Sequence, residues 1–498
     1  MFRTLILGVF CIGLTSHAMA QTSPPEWQGL GGNSQHDAQA SAALQGLTHI
    51  RWKARVDLNP QLSGGELLIH YASPMITAAN TVILPVKTGA TGGFRVDARK
   101  GTSGAPLWSL SSDYILPPHD WTPSFPAQLT AQNRLYYAGA GGTVYYRDTP
   151  DAATGTLGQL AFYRLGTYQA HKAAFNNTVE IDTPITSGAA GDIFFGFTVT
   201  GANPANLTSG IARIGADGRG RWISAGAAAK DPAMTEVAMN CAPAVSPDGK
   251  TVYLAVSNGN SGYLVGLDSA TLQPKYEAAL NDPSSGSPAW LTDNSSASPT
   301  VGPDGDVYYG VLENPFPDHN DRGWLLHFDA TLAISKIPGS FGWDDTASIV
   351  PASAVPSYSG PSSYLLMTKY NNYLDIGPTG DGHNRIAIVD PNQTQADPYS
   401  TATVMKDVIT RLGPTPFPGS PGASYEWCIN TAVVDLASDA VIANSEDGHV
   451  YRWNLANNTI DQRLLLNAPR PEAYTPTVIG PDGTAYAINN AFLYAIGK

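Results

Sequence analysis

The chain of 498 residues carries 28 Lys and Arg against 41 Asp and Glu, a net charge of −13, with 50 Gly, 38 Pro and 14% charged residues. That balance excludes a phosphate-neutralising basic face, and with it nucleic acid, and it turns attention to neutral or cationic partners. So many turn residues with so few long polar helix faces indicate a large all-β chain, whose length a radial repeat holds in one body.

Residues 1–20 read as a secretory signal. Arg3 supplies the positive start, Leu5 to Leu14 the apolar run, and Ala18-Met19-Ala20 a cleavage site before Gln21. Cys11 follows Phe10 where a lipid-anchor motif needs a small residue, so cleavage after Ala20 is expected to leave a periplasmic or secreted protein. No later stretch has the apolar length of a membrane helix. The remaining chain, 21–498, is expected to be a single domain and a monomer, with a lead-in over 21–56. Two cysteines remain, Cys241 and Cys428, which the repeat places too far apart to bridge. Both are expected to be free and buried.

Beyond the lead-in, a unit recurs. Ser298-Pro299-Thr300-Val301 opens a short strand, Pro303-Asp304-Gly305 makes a tight turn, and Val307 to Val311 and Gly323 to Asp329 form two further strands. Cys241 to Ala278 and Tyr474 to Gly497 repeat this grammar, so the repeat decides the fold. First strands begin near Pro74, Pro126, Pro184, Pro243, Pro299, Val350, Thr431 and Pro476, eight in all. The long gap before Thr431 contains an insertion, 390–422, in which Thr401 to Leu412 is expected to form a short helix and the Pro-rich end a loop. The last unit lacks an outer strand, and His49 to Val56 is a strand without a unit. Joining the two closes the ring and removes an open edge. The fold expected is an eight-bladed β-propeller, with seven blades as the runner-up because the sixth and seventh starts lack the Ser/Thr-Pro mark.

Two sets of side chains should then gather on one face. The first precedes the innermost strands: Glu180, Glu236 with Asn240, Asp293 with Asn294, Trp343-Asp344-Asp345, Glu426-Trp427 with Asn430, and Glu472. A carboxylate in six consecutive units makes an acidic ring, whose mutual repulsion calls for a cation, an Arg or raised pKa values; capping of turn N–H groups is the plainer account of any one of them. The second set lies between second and third strands: Asp318-His319-Asn320-Asp321-Arg322, Tyr370-Asn371-Asn372-Tyr373, Asp381-Gly382-His383-Asn384-Arg385, and Glu446-Asp447-Gly448-His449. Asp318, Asp321 and Asp381 have oxygens suited to Ca²⁺. His319 and His383 with Arg322 and Arg385 suit a general base beside an anion-stabilising cation, as in a hydrolase or lyase. The plainer account is that these residues make turns and local ion pairs, and Glu446-Asp447-Gly448 reads as a hairpin turn. GxSxG, HExxH, P-loop and CxxC motifs are absent.

Phe94-Arg95-Val96-Asp97-Ala98-Arg99-Lys100-Gly101, running to Pro106-Leu107-Trp108, resembles the PQQ-type propeller repeat, and Leu264 to Asp268 and Ile386 to Asp390 echo it. The Trp27 to Trp52 segment is similar to the lead-in of such proteins. The resemblance spans nearly the whole mature chain. It implies either a PQQ- and calcium-dependent alcohol dehydrogenase or a cofactor-free binding or assembly protein. For the enzyme, Trp343 or Trp427, Glu236, Asn240, Asp344 and Arg385 are the candidates, but the adjacent cysteine pair of that class is missing. The reading is therefore a propeller that binds a small molecule or protein at its acidic, Asn- and aromatic-lined face without quinone.

Overall fold

The computed structural model describes residues 25–90, 92–291 and 297–498. The signal segment, its cleavage site, and Asp293 and Asn294 lie outside the described residues. Among the described residues eight sheets follow one another along the chain, antiparallel except where Gln39–Ala40 joins one of them in parallel, and together they form a β-propeller. A small ninth sheet joins Leu62–Ser63, Glu66–His70 and Glu472–Ala473.

The local grammar explains the sheets. In the turns at Gly249, Gly305 and Gly483 the glycine takes φ of 72°, 91° and 78°. The preceding aspartates, Asp248, Asp304 and Asp482, each accept the backbone N–H two residues on, at 3.0–3.1 Å. This Asx geometry is why the Pro-Asp-Gly triplet recurs. The strands that follow, such as Thr251–Ser257 and Val307–Val311, are buried at every residue, as expected of strands packed on both faces.

His49–Arg55 pairs antiparallel with Phe492–Gly497 and becomes the outer strand of the last sheet. Ring closure by an N-terminal strand is thus realised. The Trp52 indole donates to the Gly101 carbonyl at 2.8 Å, tying that strand to the first sheet. Trp108 does the same toward the second sheet, donating to Pro150 O at 2.6 Å.

The segment 27–40 threads the channel and bonds to the innermost strands of seven sheets. Trp27 bridges to Ile76, and Leu129 donates to Gln28 O. The Gln28 side chain accepts from Ser187. Val245, Val301, Ile349 and Val434 donate to the carbonyls of Ser34, Gln35, Asp37 and Ala38. His36 and Ala38 adopt φ near 60°, which lets the segment curl within the ring. The ring is therefore plugged on the side where the innermost strands run into their turns. The opposite end, built by the loops that enter those strands, is left to form sites.

One expectation is corrected. Thr401 to Leu412 is no helix: Thr403–Leu412 is a strand paired with the long strand Arg385–Ala396. Its Thr, Val and Ile residues favour the extended state, and Val404 and Met405 bury themselves against the neighbouring sheets. Cys241 and Cys428 are free and buried, as expected.

Candidate functional site

The carboxylates that precede the innermost strands do not form one ring. Asp344, Glu426 and Glu472 line one cavity and Glu236 another, and a polar and aromatic pile stands at the wall of the first. In that pile the His70 ring stacks on Trp121 and Tyr474, with centroids 5.4 and 4.1 Å apart. Asn240, held at φ 62°, accepts Ser124 N through Oδ1, so its amide N–H donates to His70 Nδ1 at 2.7 Å. His70 therefore presents a lone pair to Asn240 and carries its ring proton on Nε2.

The first cavity, about 600 Å³, lies where the fifth to eighth sheets converge beneath the His70 segment. Six carboxyl groups line it: Glu66, Asp321, Asp344, Glu426, Glu446 and Glu472. Among the described residues Lys369 is the sole lysine or arginine in its wall, and its Nζ is paired with Asp344. Burial pulls the Lys369 pKa down, but Asp344 and Asp345 outweigh it and leave the ammonium above its ordinary value. The carboxyls move the other way. Burial, reinforced by Glu313 and Asp344, pushes Asp321 up to about 8. Burial pushes Glu426 to about 7 and Glu472 to about 8. Burial and the facing Glu426 carry Glu446 well above the usual carboxylate range. Glu472 is fixed by Tyr71, whose hydroxyl donates at 3.0 Å, and by the Asn490 N–H at 2.9 Å. Aromatic rings complete the wall: Trp121, Trp343, Tyr373, Phe417 and Trp427. Trp427 is locked by donating its indole N–H to Asn384 O and by accepting the Asn371 side-chain amide at its carbonyl.

The second cavity, also about 600 Å³, lies between the third and fourth sheets and is lined by Asp182 and Glu236 with a series of hydroxyl side chains. Glu180 stands two residues before Asp182 on Val179–Ile181, opposite Thr198 of the cavity wall. Burial lifts Glu180 to about 7.

Of the residues predicted from sequence, Trp343, Asp344, Glu426, Trp427, Glu472 and Asp321 meet in the first cavity, and Glu236 in the second. Tyr370 and Asn371 stand behind the first cavity: Tyr370 donates to Asp407, and Asn371 joins Trp427. Asn430 braces the Asp344 carbonyl at 2.6 Å. The His/Arg pairs do not converge. His319 is buried, stacked on Trp324 at 3.8 Å, with Nδ1 facing Gly323 O and Nε2 facing Asp397. Arg322 is wholly enclosed, bonded to the Asn371 and Ser340 carbonyls and stacked against Tyr370 and Tyr399. Both positions are closed off by neighbours and face neither cavity. His383 pairs locally with Asp381 at 2.8 Å, and Arg385 begins the strand beyond it. The two loops are joined instead by amides, Asn320 donating to Asn372 and Asn372 to Asp381.

Asp318, Asp321 and Asp381, read from sequence as metal ligands, are not brought together. Asp318 is exposed, Asp321 faces the cavity, and Asp381 is occupied by Asn372 and His383. Among the described residues no group of three or more His, Cys, Asp or Glu is placed to hold a metal ion. Sequence reasoning missed Glu66, His70, Trp121 and Lys369, and it read Glu446 as part of a turn. Asp447 and Gly448 do make that turn, with His449 N–H on Asp447 Oδ1, while Glu446 faces the cavity. Nothing in the local pattern separates the two acids.

No protein-family model matches the chain, and no curated protein sequence matches it. Among solved structures it is similar to a europium-containing methanol dehydrogenase, at a TM-score of 0.57 and 9% identity over 94% of this chain and 90% of that one. It is similar to the quinohemoprotein alcohol dehydrogenase of Comamonas testosteroni, at 0.52 and 12% over 97% and 82%. Sqt1 of Saccharomyces cerevisiae follows at 0.50 and 12% over 89% and 99%. The likeness establishes the fold, a β-propeller, which quinoprotein dehydrogenases share.

Proposed function

We propose that this PQQ-like β-propeller is an exported binding protein whose first cavity takes an organic cation with an apolar body. The observation that carries this reading is the surplus of carboxyls: six surround one cavity, and the one lysine there is already paired. Left alone, such groups hold protons, as their raised pKa values express. A cation replaces those protons and gains both ion pairing and contact with ring faces, an arrangement that favours ammonium or guanidinium groups.

The same residues fit a tricarboxylic quinone poorly. Its carboxylates would enter a wall that is already acidic, and Cys241 and Cys428, both buried, are too far apart along the chain to supply the adjacent pair. The dehydrogenase likeness therefore supports the fold of this chain without supporting a redox step here. No helix among the described residues is long and apolar enough to cross a membrane.

Calorimetric titration of the mature protein with phenethylammonium, and with phenethyl alcohol as its neutral counterpart, tests the proposal. The ammonium is expected to bind at least about tenfold more tightly at pH 8. Glu426→Gln with Glu446→Gln should remove that preference, while His383→Ala should leave it intact. Equal binding of the alcohol, or full affinity in the double variant, overturns the reading.

A further inference from the structure

We propose that the cavity between the third and fourth sheets is a second ligand site, built for a primary aliphatic ammonium group held by Asp182 with Glu236 beside it. It rests on residues separate from those of the first cavity. Asp182 is 4% exposed and lines the cavity, yet its Oδ1 has no hydrogen-bond partner. Glu180, 7% exposed and on the same side of the strand, likewise has an unpartnered Oε2. Buried carboxylate oxygens without donors are costly, and two so close together indicate a missing donor.

The lining determines which donor. Thr198, Ser209 and Ser257 bring hydroxyl groups to the wall, and among the described residues no lysine, arginine or histidine lines it. The described wall thus brings no cation to its carboxyls. A neutral alcohol fills one lone pair and brings no charge. A primary ammonium brings a charge and three N–H donors, enough for a carboxylate and two hydroxyl oxygens. Among the described residues no aromatic ring lines this cavity, in contrast to the first. It therefore lacks the ring faces that hold a quaternary ammonium, and its contacts require N–H groups. Burial, with Glu236 and Glu180 adding to it, holds the Asp182 carboxyl well above its ordinary range, so the incoming ammonium displaces a proton.

The test is calorimetric titration at pH 8, with n-butylammonium, n-butanol and tetramethylammonium, of the mature protein carrying Glu426→Gln with Glu446→Gln, which silences the first cavity. Butylammonium should bind and the other two should not, with proton release seen as a dependence of the heat on buffer ionisation enthalpy. Asp182→Asn should weaken binding at least about tenfold. Glu236→Gln, at a half-buried position, should weaken it in the same direction and decides the matter if the first variant does not fold. Because the first cavity is silenced in this background, failure here and failure at the first cavity are told apart. Absence of binding, equal binding of butanol, or unchanged affinity in both variants of this cavity overturns the proposal.

Discussion

His36 donates from Nδ1 to the Pro299 carbonyl at 2.8 Å inside the channel plug, where it is 1% exposed. Burial lowers its pKa from 6.5 to about 4, so the folded state refuses a proton that the unfolded chain accepts. The stability it contributes is complete above pH 6.5 and is lost as pH falls toward 4, an effect on the order of 3 kcal/mol. Denaturant titrations between pH 7 and pH 4 should show His36→Gln losing less stability over that interval than the wild type; parallel curves refute this. At the same scale, Asp397 accepts from His319 and from Ser340, at 3.0 and 2.5 Å. Burial opposes its ionised form, but His319 and Ser340 prevail and hold its pKa below the usual value. Asp397→Ala leaves the buried His319 Nε2 and Ser340 hydroxyl without their partner and should destabilise by about 3 kcal/mol or more without changing cation binding. A variant stable to within half of that, or one that loses the ligand, contradicts the structural role. The sequence marked His319 as chemically interesting, but only the partner 78 residues away shows that its chemistry is structural.

Among elements, the long hairpin of Arg385–Ala396 and Thr403–Leu412 shows why an apparent insertion is part of the fold. Its far end carries Asp397 to the fifth sheet, so the extra length clamps two sheets together. The junction between the closing strand and the first sheet depends on a different device. Lys87 and Asp57 pair at 3.2 Å with both side chains fully buried. Asp57→Leu should cost about 3–5 kcal/mol, because it strands a buried ammonium. Asp57→Leu with Lys87→Met should restore most of that loss, since an apolar pair of similar volume needs no compensation. Equal destabilisation of the single and double variants, read from urea midpoints, refutes the pairing argument. The closing strand was legible because a three-stranded final unit and an unassigned N-terminal strand call for each other. The hairpin was not, because Thr401 to Leu412 has an ambiguous local pattern that its neighbours resolve.

Across the whole molecule, the raised carboxyls make stability and ligand binding depend on pH together. A carboxyl whose folded pKa exceeds its unfolded value keeps its proton longer when folded, so stability is lost as pH rises through the folded value. For Glu426, Asp321 and Glu472 that interval runs from the unfolded range near 4 up to about 7 or 8. Glu446→Gln with Glu472→Gln should therefore gain stability over the wild type at pH 8 and little at pH 5. A bound cation should rescue the wild type in the same range, by about 2.7 kcal/mol at a hundred times its Kd. Melting temperatures at the two pH values, with and without phenethylammonium, test both; a variant gain independent of pH refutes the first.

The repeat, the tight turns, the ring closure and the free thiols were determined by the sequence alone, because each depends on residues near one another or on a period. Acidic residues before the innermost strands were legible for the same reason. Their division into two cavities was not, since it depends on His70 and Trp121, which come from segments outside the repeat and settle over the channel. The fate of Arg322, His319 and Glu446 was likewise decided only in three dimensions. Whether a charged side chain serves the core or a site depends on what packs against it from distant parts of the chain.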